Sequence, residues 1–187
     1  MSKVKAAVFA SGTGSNFQAM LDEDDFPCEI VLLVSDQEQA GVLKKAMQHG
    51  IETFVFSAKD YESKEAYEAE IAEQLKRKGI EWVFLAGYMR LIGPTLLQAY
   101  EGKIVNIHPS YLPAFPGKDA IGQAFEAGVR QTGVTVHFID EGMDTGPIIR
   151  QEAVSILAND TKETLQKRIQ KVEHRLYPQV IRELIQK

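Results

Sequence analysis

Cysteine, tryptophan and long apolar runs are what this 187-residue chain has least of, with one Cys and one Trp. The lone Cys28 excludes a disulfide framework and a cysteine-based zinc cluster. No stretch approaches the roughly 20 apolar residues that span a bilayer. Met1-Ser2-Lys3-Val4 leads straight into a strand-like run rather than a signal segment, so a soluble, unprocessed cytoplasmic protein with no membrane contact is expected. Basic residues are the minority, 21 against 26 acidic, for a net charge of -5. Such a field repels polyanions, so no nucleic-acid partner is expected and any anionic ligand must be held by local geometry. With 44% hydrophobic residues, the length suits a single domain over 1–187 with one real core.

What is there alternates. Apolar runs at Lys3 to Ala10, Glu29 to Ser35, Thr53 to Phe56, Trp82 to Ala86 and Ile104 to Ile107 read as buried strands. Between them lie helical patterns: one from about Ser15, one through Val42, Leu43, Ala46 and Met47, one over Ser63 to Lys78, and a short one that Pro94 opens. Val134 to Ile139 and Ile148 to Val154 add two strands around a turn-rich loop. A last helix starts with Asp160 as N-cap and Glu163 as its capping-box partner, and Pro178 should kink it. The alternation predicts an α/β fold, a mostly parallel twisted sheet with helices on both faces.

Four places carry chemistry. Ser11-Gly12-Thr13-Gly14-Ser15-Asn16 follows the first strand and opens a helix, the build of an anion cradle. It lacks the lysine of a phosphate-binding NTPase loop, and Phe17 stands where the dinucleotide motif wants its third glycine. Asp36, at the end of the second strand, keeps a nicotinamide-cofactor reading open. Asn106 and His108, two apart on a strand end, project to one side with Ile107 turned away; an amide beside an imidazole suits chemistry through an oxyanion, though a polar strand end has the same pattern. The loop Asp140 to Pro147 carries three carboxylates whose spacing does not fit a calcium loop, so no metal is expected. Asp144 is its best candidate to orient a histidine. Gly87 to Ile92 mixes apolar side chains with Arg90, a wall suited to a flat ligand bearing carboxylates.

Together these segments resemble the folate-dependent glycinamide ribonucleotide (GAR) transformylases. The likeness runs through Gly12-Thr13-Gly14-Ser15-Asn16, Leu85 to Arg90, Asn106 to Pro113, Phe115-Pro116-Gly117, Gly133 to Phe138 with the Asp140 to Pro147 loop, and Glu173 to Pro178. The resemblance implies a Rossmann-like formyltransferase fold, its N-terminal half binding the nucleotide and its C-terminal half carrying catalysis and folate contacts. It implies transfer of a formyl group from 10-formyltetrahydrofolate to the GAR amine in purine biosynthesis, with small molecules as partners and a monomer or homodimer as the assembly. By the same resemblance, Asn106, His108 and Asp144 are the catalytic trio. Gly14, Ser15, Asn16, Gln170 and Glu173 hold GAR, and Lys64, Met89, Arg90, Leu91, Ile92, Asn106 and Asp140 meet the folate. Lysine at position 64 and threonine at 135 depart from the arginine and serine of familiar members. The lysine loses the two-pronged carboxylate grip. Lys118 is a further candidate for the folate tail.

The trio also occurs in methionyl-tRNA formyltransferase and 10-formyltetrahydrofolate hydrolase. The acidic chain and its length argue against the additional domains those enzymes carry. A non-catalytic dinucleotide-binding module is the rival from another class, resting on Gly12, Gly14 and Asp36.

Overall fold

Among the described residues of the computed structural model, 2–187, the apolar runs become β1 (Val4–Phe9), β2 (Cys28–Ser35), β3 (Glu52–Val55), β4 (Trp82–Leu85), β5 (Ile104–His108), β6 (Gln131–Phe138) and β7 (Ile148–Ser155). They form one sheet in the order β3-β2-β1-β4-β5-β6-β7. Pairing is parallel from β3 to β5; β6 and β7 then close the sheet antiparallel. The helices are α1 (Ser15–Leu21), α2 (Gly41–Gln48), α3 (Lys64–Arg77), α4 (Pro94–Ala99), α5 (Ala120–Glu126) and α6 (Lys162–Ile185).

Strand parity sorts the core into two layers. Ala6 and Val8 of β1, Trp82 and Phe84 of β4, and Val105 and Ile107 of β5 face α1, α2 and α6. The alternate residues Ala7, Phe9, Val83, Leu85 and Ile104 face α3 and α4. Helices therefore cover both faces, as the alternating pattern requires. Tyr177 of α6 is fully buried, and its hydroxyl lies 2.8 Å from the Leu85 carbonyl and 3.0 Å from that of Val105, one proton shared between neighbouring strands. We expect Tyr177→Phe to cost about 1 to 3 kcal/mol in denaturant unfolding, because it strands buried acceptors without opening a cavity.

Two local details differ from expectation, the N-cap of α6 and the exposed end of the α2 stripe. The N-cap of α6 is Thr161, closing a capping box with Thr164. Asp160 instead takes the guanidinium of Arg168 on both oxygens and the Leu157 N–H, so its carboxylate fastens the preceding turn. Pro178 is absorbed inside α6, which continues to Ile185. Met47 of the α2 pattern is 77% exposed, while Val42 and Ala46 carry the packing.

The order of the sheet reverses between β1 and β4, the switch point where open α/β sheets bind ligands at the carboxyl ends of their strands. There the two strands stay joined one step further, as Ser11 N–H donates to the Gly87 carbonyl at 3.0 Å.

Candidate active site

A cavity of about 480 Å³ opens along those carboxyl ends, a size ordinary for small-molecule sites. Its lining draws on Asn16, on the segment after β4, on Asn106 and His108, on Asp144 and on Glu173.

At one end, β1 runs into the glycine loop. Gly14 sits at φ 79°, and a Cβ there would lie 2.5 Å from Val42 Cγ2, so both backbone and space demand glycine. No side chain caps α1. Of Gly14, Ser15 and Asn16, only Asn16 reaches the cavity lining. Its Nδ2 donates to Glu173 Oε2 at 3.2 Å, while its buried Oδ1 has no partner among the described residues. Glu173 is 7% exposed, and burial pushes its carboxyl from 4.5 up to about 7 against the opposing Asn16 hydrogen bond. A buried carboxyl with an orphaned amide oxygen beside it is an unfinished hydrogen-bond set that suits a ligand rich in hydroxyl or amine donors. Gln170 lies half-buried on the same helix but outside the lining, which Gln166 joins instead.

At the other end stand β5 and β6. Asn106 and His108 lie on one face, with Ile107 packed into the opposite layer. His108 Nε2 is 2.9 Å from the Phe115 carbonyl and Nδ1 is 3.6 Å from Asp144 Oδ2, so each ring nitrogen faces an acceptor. Only the Phe115 carbonyl is within hydrogen-bond range, so Nδ1 is held near Asp144 without being bonded to it. Asp144 arrives on the loop after β6, which doubles back along β5: Ile139 N–H bonds Ile104 at the start of that strand, and Asp144 meets His108 at its end. Asp144 itself has φ 55° and accepts the Gly117 N–H at 2.8 Å, locking the acidic loop to the proline-rich one. Thr135 serves the same loop from below, its hydroxyl donating to Ser110 O at 2.7 Å and accepting from Leu112 N and Gln151 Nε2.

Reading the sequence overlooked His137. It pairs with Asn106 across the β5–β6 ladder and is fully buried. Burial lowers its pKa first, the Phe138 hydrogen bond opposing, which favours the neutral ring. With Nδ1 donating to Phe138 O at 2.9 Å, Nε2 is left as the acceptor that meets Asn106 Nδ2 at 3.4 Å. Asp144 Oδ1 is 3.9 Å from the same Nε2, too far to compete as a hydrogen bond. Strand parity was the signal: His137 lies two residues from Thr135, on the face opposite the core valines.

The remaining residues divide. Met89, Leu91 and Ile92 line the cavity beside Met143. Arg90 is not a free cation: its Nε donates to Asp36 Oδ2 at 2.9 Å and its guanidinium lies 5.9 Å from the Tyr67 ring centroid. Asp36 is thereby removed from any ribose, since its other oxygen takes the Ser11 hydroxyl at 2.5 Å. Asp140 lines the cavity while binding its own loop, accepting from Thr145 Oγ1 and Gly142 N, contacts that hold its carboxyl below the usual range. Lys118 lies on the lining and Lys64 outside it, packed along Gly93. Among the described residues, no group of three or more His, Cys, Asp or Glu is placed to share a metal ion, and no helix is long and apolar enough to cross a membrane.

An amide and an imidazole side by side at the switch point of a doubly wound sheet narrow the class, and comparison with known proteins gives the family. Residues 4–181 match the formyl transferase family, and the chain belongs to that family. Its similarity within the family runs to phosphoribosylglycinamide formyltransferases: it is 57% identical to that of Bacillus subtilis (strain 168), over 97% of this chain and 94% of the other. Glycinamide ribonucleotide transformylase 1 from Geobacillus kaustophilus has the same fold, with a TM-score of 0.95 at 59% identity, covering 98% of this chain and 99% of that one. The chain is also 42% identical over 97% of its length to the trifunctional purine biosynthetic protein adenosine-3 of Drosophila melanogaster, and spans 14% of that longer protein.

Proposed function

We propose that the protein transfers a formyl group from 10-formyltetrahydrofolate to the amine of glycinamide ribonucleotide, giving the formylated ribonucleotide and tetrahydrofolate, in the cytoplasm. The observation that carries this reading is that the Asn16–Glu173 couple and the Asn106–His108–Asp144 group open onto one cavity. One molecule with hydroxyl donors can sit at the first end while its amine is presented at the second. Glu173 takes the ribose hydroxyls, and the uncapped amides of Gly14 and Ser15 take the phosphate. The ring system of the folate lies against Met89, Leu91 and Ile92, whose apolar edges suit a flat heterocycle.

The chemistry uses groups already described. Attack of the amine on the formyl carbon forms a tetrahedral oxyanion. The second Asn106 N–H, left over by His137, and protonated His108 stabilise that charge. Asp144 stands 3.6 Å from Nδ1, beyond good hydrogen-bond range, and so leaves that nitrogen free to turn to the reacting atoms, and the proton passes from attacking amine to leaving folate nitrogen. In this reading the first half of the sheet binds the ribonucleotide phosphate, and the second half carries the chemistry. Whether tetrahydrofolate release requires the ribonucleotide is the direct test. The dinucleotide-module reading loses its support, because Asp36 is committed to Ser11 and Arg90.

A further inference from the structure

The cavity wall from Gly87 to Gly93 has no regular secondary structure, yet it must present Met89 to Ile92 at a fixed distance from Asn106 and His108. Its anchors are outside the cavity. Met89 N–H donates to Ser11 Oγ at 2.9 Å; the same hydroxyl donates to Asp36 Oδ1 at 2.5 Å; and Asp36 Oδ2 receives Arg90 Nε at 2.9 Å. Asp36 is the hub of this chain of bonds, its side chain 2% exposed and absent from the cavity lining. At the far end of the wall, Gly93 N–H donates to Glu68 Oε2 at 2.7 Å, and Glu68 also accepts from Leu96 N at 3.4 Å, capping α4. Two buried carboxylates, reached from β2 and α3, thus tack an irregular segment down on either side of the residues that face the ligand.

We propose that Asp36 is a positioning residue for the folate-binding wall: through Ser11 Oγ it fixes the Met89 amide, and through Arg90 Nε it fixes the next side chain, without touching either substrate. This rests on the formyl-transfer reading above. Ser11 also begins the glycine loop, so the same carboxylate ties the wall to the strand that carries the ribonucleotide end. Removing it leaves Arg90 without its counter-ion and the Met89 amide on an unanchored hydroxyl. A wall free to move by about an ångström costs affinity for what lies against it, while the donors on β5 are untouched.

The experiment is steady-state kinetics of Asp36→Asn, Ser11→Ala and the double variant, in parallel with thermal unfolding. The parent enzyme must first release tetrahydrofolate only when the ribonucleotide is present; failure there overturns the formyl-transfer reading, not this one. Given an active parent, the expected result is a rise of about tenfold or more in KM for 10-formyltetrahydrofolate, with kcat within about threefold of the parent. Because Ser11 and Asp36 act in series, the double variant should be no worse than the poorer single one. If Asp36→Asn does not fold, Ser11→Ala decides alone, as it deletes one hydroxyl and leaves the charge pair. An unchanged folate KM in a folded variant, a loss confined to kcat, or full additivity of the two substitutions would overturn the proposal.

Discussion

An Asn106→Ala variant should turn over about 10² to 10³ times more slowly than the parent at saturating substrates, with little change in its folate KM. The expectation follows from what the amide does and does not touch. Asn106 is half-buried, and among the described residues its side chain is hydrogen-bonded to His137 alone, at a long 3.4 Å. Its value lies in the N–H that points away from His137. That donor is already fixed before substrate binds, because the neutral His137 ring accepts the other hydrogen and sets the orientation of the amide. A preorganised donor of this kind contributes about 3 to 4 kcal/mol to an oxyanion transition state and little to the ground state. Single-turnover kinetics with circular dichroism as a folding control checks it, and near-parental turnover removes Asn106 from the mechanism.

The second large effect has two opposite halves in one substitution. Glu173→Gln should weaken ribonucleotide binding by about 10- to 100-fold, the loss of charge-assisted hydrogen bonds to a diol. The same change should stabilise the free protein above neutral pH. Burial raises the Glu173 carboxyl from 4.5 to about 7. Below 4.5 the group is protonated in both folded and unfolded chains. Between those values only the folded chain keeps its proton, so stability falls as pH rises and the penalty is complete above about 7. Glutamine never ionises and escapes that loss, which is at most about 3 kcal/mol. Thermal scans of the free protein should therefore find the variant more stable by several degrees at pH 8, with the gap closing by pH 4.5. A variant equally or less stable at pH 8 contradicts the burial account of this carboxylate. The site thus keeps a group that costs folding stability at neutral pH, and ribose hydroxyls at the orphaned Asn16 oxygen and Glu173 would relieve it.

How much of this could be read from the chain depends on the range of the interaction. Local periodicity placed most strands and helices to within a residue or two, because β1, β4 and β5 are largely buried on both faces and the glycines at 50 and 79 end helices in positive φ, whereas β6 begins three residues before the expected Val134, in polar residues that carry no apolar signal. Parity alone put Asn106 and His108 on one side of β5. What sequence could not reveal are contacts set by tertiary structure. Glu68 carries no signal in its own helix that it is the buried cap of α4. Arg90 reads as a free cation and is paired to Asp36, whose own position suggested a cofactor. His137 has an unremarkable place in a valine-rich strand until the β5–β6 register sets it opposite Asn106. Asp160 looked like a cap because helix-start statistics favour it, but its carboxylate bridges Arg168 and the neighbouring threonine takes the role.

The proposed function has one cavity bring a ribonucleotide amine to a folate-borne formyl group. Following tetrahydrofolate release from 10-formyltetrahydrofolate, with and without glycinamide ribonucleotide, tests it most directly. Release is expected only when the ribonucleotide is present, with one formylated ribonucleotide made for each tetrahydrofolate. Release at the same rate without the ribonucleotide would contradict it and make the protein a hydrolase of the folate alone.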